Sequence, residues 1–425
     1  MRILHTADWH LGHRLYDRDR TPEHRAALAW LLETIEEENV DVLIVAGDIF
    51  DVANPSNQAR ELYYEFLGQL ARTKCAAAVI VGGNHDSPAM LDAPKEVLKW
   101  LNLHVVGAAR TQVQEEVVLI AKPGNEAVDL IVAAVPYLRE RDIRRAKSGE
   151  TSEERLMGLQ EGISNHYREV AAAAESVRKN PETPIIATGH LFAGGASDHA
   201  EKKSYIYQAD EHNIEGGQFP KVFDYVALGH IHRAQRVGGA EHIRYCGSLI
   251  PLTFVEGQQV RSVRIVDIGK AGEPITSRQV NVPYFRTLLR LNAELDEVKQ
   301  ALRTAAVAHR NTPKALNNSL PTSWAEIRIK TDEHIPNLRQ TLLEVIADAT
   351  EAGSDGPAVE ILRVSQERLT PAPAAAPAEK KQLGELDPEE VFSGIITADG
   401  YTPERATELM ADFRNLRNWM NDAAE

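Results

Sequence analysis

At 425 residues the chain is long enough for two or three domains and a large core. A formal net charge of −15 excludes a generally basic, nucleic-acid-coating surface, so any affinity for a polyanion must come from a local patch, a metal site or a partner chain. No apolar run approaches a membrane span, Asp8 interrupts the N-terminus where a secretory signal would still be apolar, and two cysteines (Cys75 and Cys246) are too few for a disulfide framework, so a cytoplasmic protein with reduced thiols is expected.

The first strand is predicted over 2–6 and delivers Asp8 and His10 into a loop. A helix follows, with Thr21 as N-cap and Pro22 at its first position. A second strand over 42–45 leads into AGDIFD, and Pro55 opens a second helix. The β-branched run 79–81 is a third strand; two glycines end it, and Asn84, His85 and Asp86 come directly after. This β-α-β-α-β alternation argues for an α/β layered core. Short alternating runs between 103 and 135 read as antiparallel strands. After a long helix through HYREVAAAAESVRK, strands over 185–188 and 225–228 deliver Gly189-His190 and Gly229-His230-Ile231-His232. Runs over 242–252 and 260–268 close this first domain, 1–285.

A smaller βαβαβ pattern over 286–368 predicts a compact α+β domain. Residues 369–384 are Pro/Ala-rich with no apolar period, which marks a semi-rigid linker. The remainder, 385–425, holds two amphipathic helices with Asp387 and Thr402 as caps. Two such short helices bury too little to be stable alone, so docking on another surface is expected.

The chemistry lies just after the five strands. Asp8, His10, Asp48, Asn84, His190, His230 and His232 are seven oxygen or imidazole donors without a thiolate, a set suited to Mn²⁺, Mg²⁺, Fe²⁺ or Zn²⁺, its oxygen-rich mixture favouring Mn²⁺ or Mg²⁺. Seven exceed the needs of one open site. They fit two ions about 3.5–4 Å apart sharing one carboxylate, with Asp48 the natural bridge. A lone histidine at a strand end, or one aspartate in a turn, is more often structural. Here repetition decides: five strand ends in what reads as one parallel sheet each carry a small residue and then a ligand type. His5, His13 and His24 read as structural. Asp51 reads either as a supporting group or as a loop capper.

The series Asp8-x-His10, Gly47-Asp48, Gly83-Asn84-His85-Asp86, Gly189-His190 and Gly229-His230-x-His232 resembles the full signature of the calcineurin-like metallophosphoesterases. HTADWHLG, VAGDIFD, IIATGHL, YVALGHIHRAQ and RYCGSLIPL narrow the resemblance, over about the first 285 residues, to bacterial nuclease subunits that work with an SbcC-type ABC ATPase. The resemblance implies a β-sandwich flanked by helices, a small α+β capping domain and C-terminal helices that dock on the partner's coiled coil. It assigns one ion to Asp8, His10, Asp48 and His232, and a second to Asp48, Asn84, His190 and His230. His85 then meets the scissile phosphate or protonates the leaving oxygen, with Asp86 orienting its imidazole. The activity implied is metal-dependent cleavage of DNA, as a 3′–5′ exonuclease on duplex ends and an endonuclease on single strands and hairpins. A homodimer through the helices after the second and third strands is implied as well. The chain has no GxxxxGK[ST], so ATP dependence must come from the partner.

Two other readings share these residues. A phosphomonoesterase or cyclic-nucleotide phosphodiesterase needs the same ligands, but not the added capping domain, linker and docking helices. A non-catalytic scaffold would not need the intact ligand set with His85. Basic residues cluster over 13–20 and 137–147, either as phosphate contacts or as solvated loops of mixed charge. The isolated chain is expected to hold DNA weakly.

Overall fold

A computed structural model describes residues 1–144, 149–194, 213–311, 322–350, 358–369, 387–398 and 401–422. The chain divides into two compact units: Met1–Arg290, joined by 322–324, and the described residues that follow. The predicted linker lies outside the described residues except for Leu369.

The first unit is built on two six-stranded sheets. In chain order the strands are β1 (Arg2–Thr6), β2 (Val42–Ala46), β3 (Ala77–Val81), β4 (Leu103–Val106), β5 (Val117–Ile120), β6 (Leu130–Ala133), β7 (Ile185–His190), β8 (Tyr225–Gly229), β9 (Gln235–Val237), β10 (Ala240–Tyr245), β11 (Ser262–Asp267) and β12 (Thr276–Asn281). One sheet has the order β12-β11-β1-β2-β3-β4 and the other β9-β10-β8-β7-β6-β5. Within each sheet four strands run parallel: β1 to β4 in the first, and β6, β7, β8 and β10 in the second. Every residue of β2 and β3 is buried, as expected for strands covered on both faces.

Alternation along β2 defines the layers. Val42 and Ile44 point into the core between the sheets, with Ile3, Val79, Val132, Ile186 and Tyr225. Leu43 and Val45 point the other way, toward Leu28 and Leu31 of α1 (Thr21–Glu37) and Tyr63 and Phe66 of α2 (Asn57–Leu70). Ile163, Tyr167 and Val170 of α3 (Ser152–Val177) cover the outer face of the second sheet. The result is a β-sandwich between helices.

Several sequence expectations need correction. Strand β4 runs parallel to β3, not antiparallel, because the helical turns Pro88–Asp92 and Lys95–Lys99 carry the chain back across the sheet. The five ligand-bearing strand ends belong to two sheets, β1 to β3 in one and β7 and β8 in the other. Helix α1 starts at Thr21 itself, whose N–H and hydroxyl both donate to Asp19, and α2 is capped by Ser56 rather than opened by Pro55.

The second unit holds α4 (Leu295–Asn311) and α5 (Leu338–Ala349), which pack together, and most of a three-stranded sheet of β13 (Leu288–Ala293), β14 (Ser323–Lys330) and β15 (Val359–Glu367), whose residues Leu288–Arg290 and Ser323–Trp324 are counted with the first unit. Leu302, Ile327, Leu342 and Val359 form part of its core. Toward the C-terminus, α6 (Pro388–Ala398) and α7 (Pro403–Asp422) pair through stacked Phe392 and Phe413, 4.3 Å between ring centroids, and through Glu389 with Arg414 and Arg417. Asp387 and Thr402 cap them.

Candidate metal centre

Strands deliver backbone groups and side chains to their C-terminal ends, and here the ends of both sheets converge. Asp8 N–H donates to Gly47 O at 3.0 Å and His10 N–H to Asp48 O at 3.0 Å, tying the first two loops together. His230 N–H donates to Asp8 Oδ1 at 2.9 Å, which ties the second sheet to the first. Asp8, His10, Asp48 and His230 all have positive φ, between 47° and 96°. For non-glycine residues such conformations cost about 1–3 kcal/mol each, so the surrounding hydrogen bonds must enforce them. The small residues before the ligands are also spatial necessities. A Cβ on Gly47 would sit 2.2 Å from His190 Nδ1, and one on Gly229 1.9 Å from Ala46 O.

All seven predicted ligands come together. Asp8, His10 and His232 form one group of donor atoms, and Asp48, His190 and His230 a second. Asn84 Oδ1 completes the second, 3.0 Å from His190 Nε2 and 3.1 Å from His230 Nδ1. Asp48 Oδ2 lies between the groups, 3.2 Å from His190 Nε2 and 3.5 Å from His10 Nε2. Three of the histidines have Nδ1 held by an oxygen: His10 by Asp51 at 3.2 Å, His190 by Ala46 O at 2.9 Å and His232 by Glu256 at 3.2 Å. This fixes the rings so that Nε2 is offered as the ligand atom, the usual outer support of a metal-binding imidazole. His10 Nε2 is buried without a hydrogen-bond partner, as a nitrogen meant for an ion would be. These residues fit divalent cations.

Charges agree with that role. Burial alone would raise the Asp48 carboxyl, but His190, His10 and His85 hold it well below the usual carboxylate range. Burial likewise opposes protonation of His190, yet Asp48 and Asp8 raise it to about 9.

Beside the two groups sits His85. Its N–H donates to Asp48 Oδ1 at 3.0 Å, and its Nδ1 faces Asp51 O at 2.7 Å. Asp86 does not orient this ring, contrary to the sequence expectation. Its carboxylate accepts from the N–H groups of Gly83, Ile49 and Phe50 at 2.8, 3.1 and 2.9 Å, and so locks two ligand loops to each other. Burial and the nearby Asp48 charge push Asp86 up to about 6 despite those donors. The expected positioning role passes to Asp51, which holds His85 through its carbonyl and His10 through its carboxylate.

The chain matches the calcineurin-like phosphoesterase family model over residues 1–234. It is 36% identical to the SbcD component of the SbcCD nuclease of Escherichia coli strain K12 over 394 residues, 92% of each chain. The chain belongs to the calcineurin-like phosphoesterase family, in its SbcD branch. A second family model, described as a type 5 capsule protein repressor C-terminal domain, matches residues 284–399. The SbcD components of Rhodobacter capsulatus and Bacillus subtilis are 34% and 33% identical, over 73% and 69% of this chain and 77% and 72% of their own.

Sequence reasoning missed Glu256. It lies in a short helical turn (Glu256–Gln258), 4% exposed, with one oxygen on His232 and the other accepting from Leu252 N–H at 2.9 Å. Burial would raise this carboxyl, but His232 and Arg261 hold it at about 2. No strand end or glycine precedes it, and only its distance from His232 in space reveals it. Arg20, in the first basic cluster, is also reassigned: it is 1% exposed, paired with Glu23 and bonded to Pro251 O.

Proposed function

We propose that this chain is a metal-dependent DNA nuclease that holds two divalent ions, manganese foremost, and works with an SbcC-type ABC ATPase. The observation that carries the reading is the shared carboxylate: Asp48 Oδ2 reaches toward both ligand groups, 3.2 Å from His190 and 3.5 Å from His10. Asp8, His10, Asp48 and His232 would hold the first ion, and Asp48, Asn84, His190 and His230 the second. Two ions bound there supply a nucleophile at neutral pH and neutralise the charge that builds on the attacking and leaving oxygens.

The chain's own groups do the rest. Because Asp51 O accepts at 2.7 Å, the proton of the neutral His85 ring sits on Nδ1. Nε2 then carries the exchangeable proton, and protonated His85 can hand it to the leaving oxygen. Asp86 keeps the Asn84–His85 loop at a fixed distance from the Asp48 loop. A small-molecule phosphoesterase would need the same groups. What supports the nuclease reading is similarity to the E. coli SbcCD component along 92% of each chain.

In this reading the sandwich over 1–285 cuts, 286–368 caps the DNA entrance, 369–384 is a linker and 385–425 docks on the ATPase. Val391, Ile395, Leu416 and Trp419 are exposed on the two C-terminal helices and suit that docking. A homodimer is supported by Trp100 at 86% exposure, with Val97, Leu101 and Tyr64 also exposed near the helices after β2 and β3. Action in the cytoplasm belongs to the same reading and is supported by the two cysteines, Cys75 and Cys246, both of which are free thiols. No described helix is long and apolar enough to cross a membrane.

The test is cleavage of a labelled hairpin and a blunt duplex with Mn²⁺, comparing the native chain with His85→Gln, each with and without the ATPase and ATP. The expected result is exonuclease and endonuclease products from the native chain. His85→Gln should keep its ions and lose about 10²–10⁴-fold in rate. Intact DNA in every condition, with fast hydrolysis of a small phosphodiester, would transfer the site to small-molecule chemistry.

A further inference from the structure

The segment that leaves β6 passes the metal centre. Tyr137 N–H donates to Gly82 O at 2.8 Å, pinning it to the loop that carries Asn84 and His85. The Tyr137 ring lies 6.2 Å from the His190 imidazole. Two residues on, the half-buried Arg139 turns back over that ring, its guanidinium carbon 5.7 Å from the ring centroid. Arg139 Nη2 donates to Asp86 O at 3.1 Å, whereas Nη1 is buried with no hydrogen-bond partner.

The neighbouring cations are spent differently. Arg144 is paired with Glu140 and Glu150, Arg155 with Glu140, and Arg141 is mostly exposed beside Asp142. Among the described residues of the cluster over 137–147, Arg141 and Arg144 thus belong to a mixed-charge surface, and Arg139 differs from them. Leaving a buried charged donor unpaired costs about 1–3 kcal/mol or more, a cost that a bound anion would offset. A guanidinium with one nitrogen anchored and another unpaired is suited to a phosphate oxygen.

We propose that Arg139 binds a phosphate of the substrate strand next to the one being cut, its guanidinium turning out of its present burial so that Nη1 donates. This rests on the nuclease reading above. Arg139 grips the loop at Asp86, just past Asn84 and His85, and its guanidinium lies over Tyr137, whose ring is 6.2 Å from that of the ligand His190. That position suits a flanking phosphate, whereas the scissile group faces the ligand residues and His85. A small diester, which has no flanking phosphate, should not depend on Arg139.

The experiment compares native chain, Arg139→Gln and Arg139→Lys at saturating Mn²⁺, on a single-stranded oligonucleotide and on bis(4-nitrophenyl) phosphate, with bound metal measured for each. Arg139→Gln should raise KM for the oligonucleotide about tenfold, leave kcat within about twofold, and lower the salt slope of binding by about 0.7, the value for one lost phosphate contact on a single strand. Its rate on the diester should stay within about twofold, and Arg139→Lys should recover part of the KM. An unchanged oligonucleotide KM and salt slope in Arg139→Gln overturns the inference while the nuclease reading stands. Equal losses on both substrates also overturn it, because Arg139 would then only hold the loop. A native chain that hydrolyses the diester but not the oligonucleotide overturns both.

Discussion

Glu256→Gln isolates how much the metal centre owes to a residue that touches no substrate. In the native chain Glu256 Oε1 is 3.2 Å from His232 Nδ1, and Oε2 receives Leu252 N–H at 2.9 Å with Arg261 Nη1 at 3.5 Å. The amide keeps the size and one acceptor but removes the charge that fixes the His232 tautomer and makes its Nε2 a stronger donor to an ion. Loss of such an outer partner weakens metal binding by about 10–100-fold, or about 1.4–2.8 kcal/mol. Stability should fall as well, because Arg261 stays buried without its carboxylate. Breaking a buried pair costs about 3–5 kcal/mol, and the lower end applies here because Arg261 also donates to the carbonyl oxygens of His232 and Glu256 and to Gln259. Equilibrium dialysis with Mn²⁺ should find one of two sites weakened by that factor and the other unchanged, with hydrolysis restored at high Mn²⁺. Two unaltered sites in a folded variant would refute the reasoning.

Gly47→Ala should fold with a damaged second ion site. The residue has φ +89°, and its Cβ would meet the His190 ring at 2.2 Å, so about 1–2 kcal/mol of backbone cost is joined by displacement of His190; urea unfolding and Mn²⁺ binding would both register it, and unchanged binding would contradict it. His5 gives the pH dependence. Burial, helped by the Arg264 charge, lowers it to about 3, with Nδ1 at 2.9 Å from the Tyr225 hydroxyl. An imidazole neutral when folded and protonated when unfolded costs stability as pH falls below about 6.5, at about 1.4 kcal/mol per unit until about pH 3. With metal chelated, His5→Asn should remove that much slope between pH 6 and 4 in denaturant titrations, and an identical slope would refute the assignment.

The ligand loops were legible because each couples a buried apolar strand to a glycine and then a donor, and both halves of that pattern have local physical causes. Gly47 and Gly229 must be glycine for reasons of space, so the sequence marks the places where loops touch. Support for the ligands was not legible in the same way. Asp86 follows His85 directly, yet its carboxylate turns away to three amides, while Asp51, 34 residues earlier, supplies the carbonyl that holds the ring. Glu256 and Arg139 likewise act across space, without a periodic or glycine signal. The division of the strands into two sheets was hidden for a related reason: β2, β3 and β8 are continuous apolar runs and β7 begins as one, and such runs do not state which sheet they enter. Strand β4 was misread because a short alternating run looks the same in either direction.

The claim that two ions share Asp48 is tested most directly by loading the chain with Mn²⁺ and measuring bound metal together with the electron paramagnetic resonance spectrum, in the native chain and in Asp48→Asn. The expected result is about two ions per chain with the signature of a coupled pair, lost in Asp48→Asn. One ion per chain, or two that give independent signals in the native protein, would contradict the shared-carboxylate site.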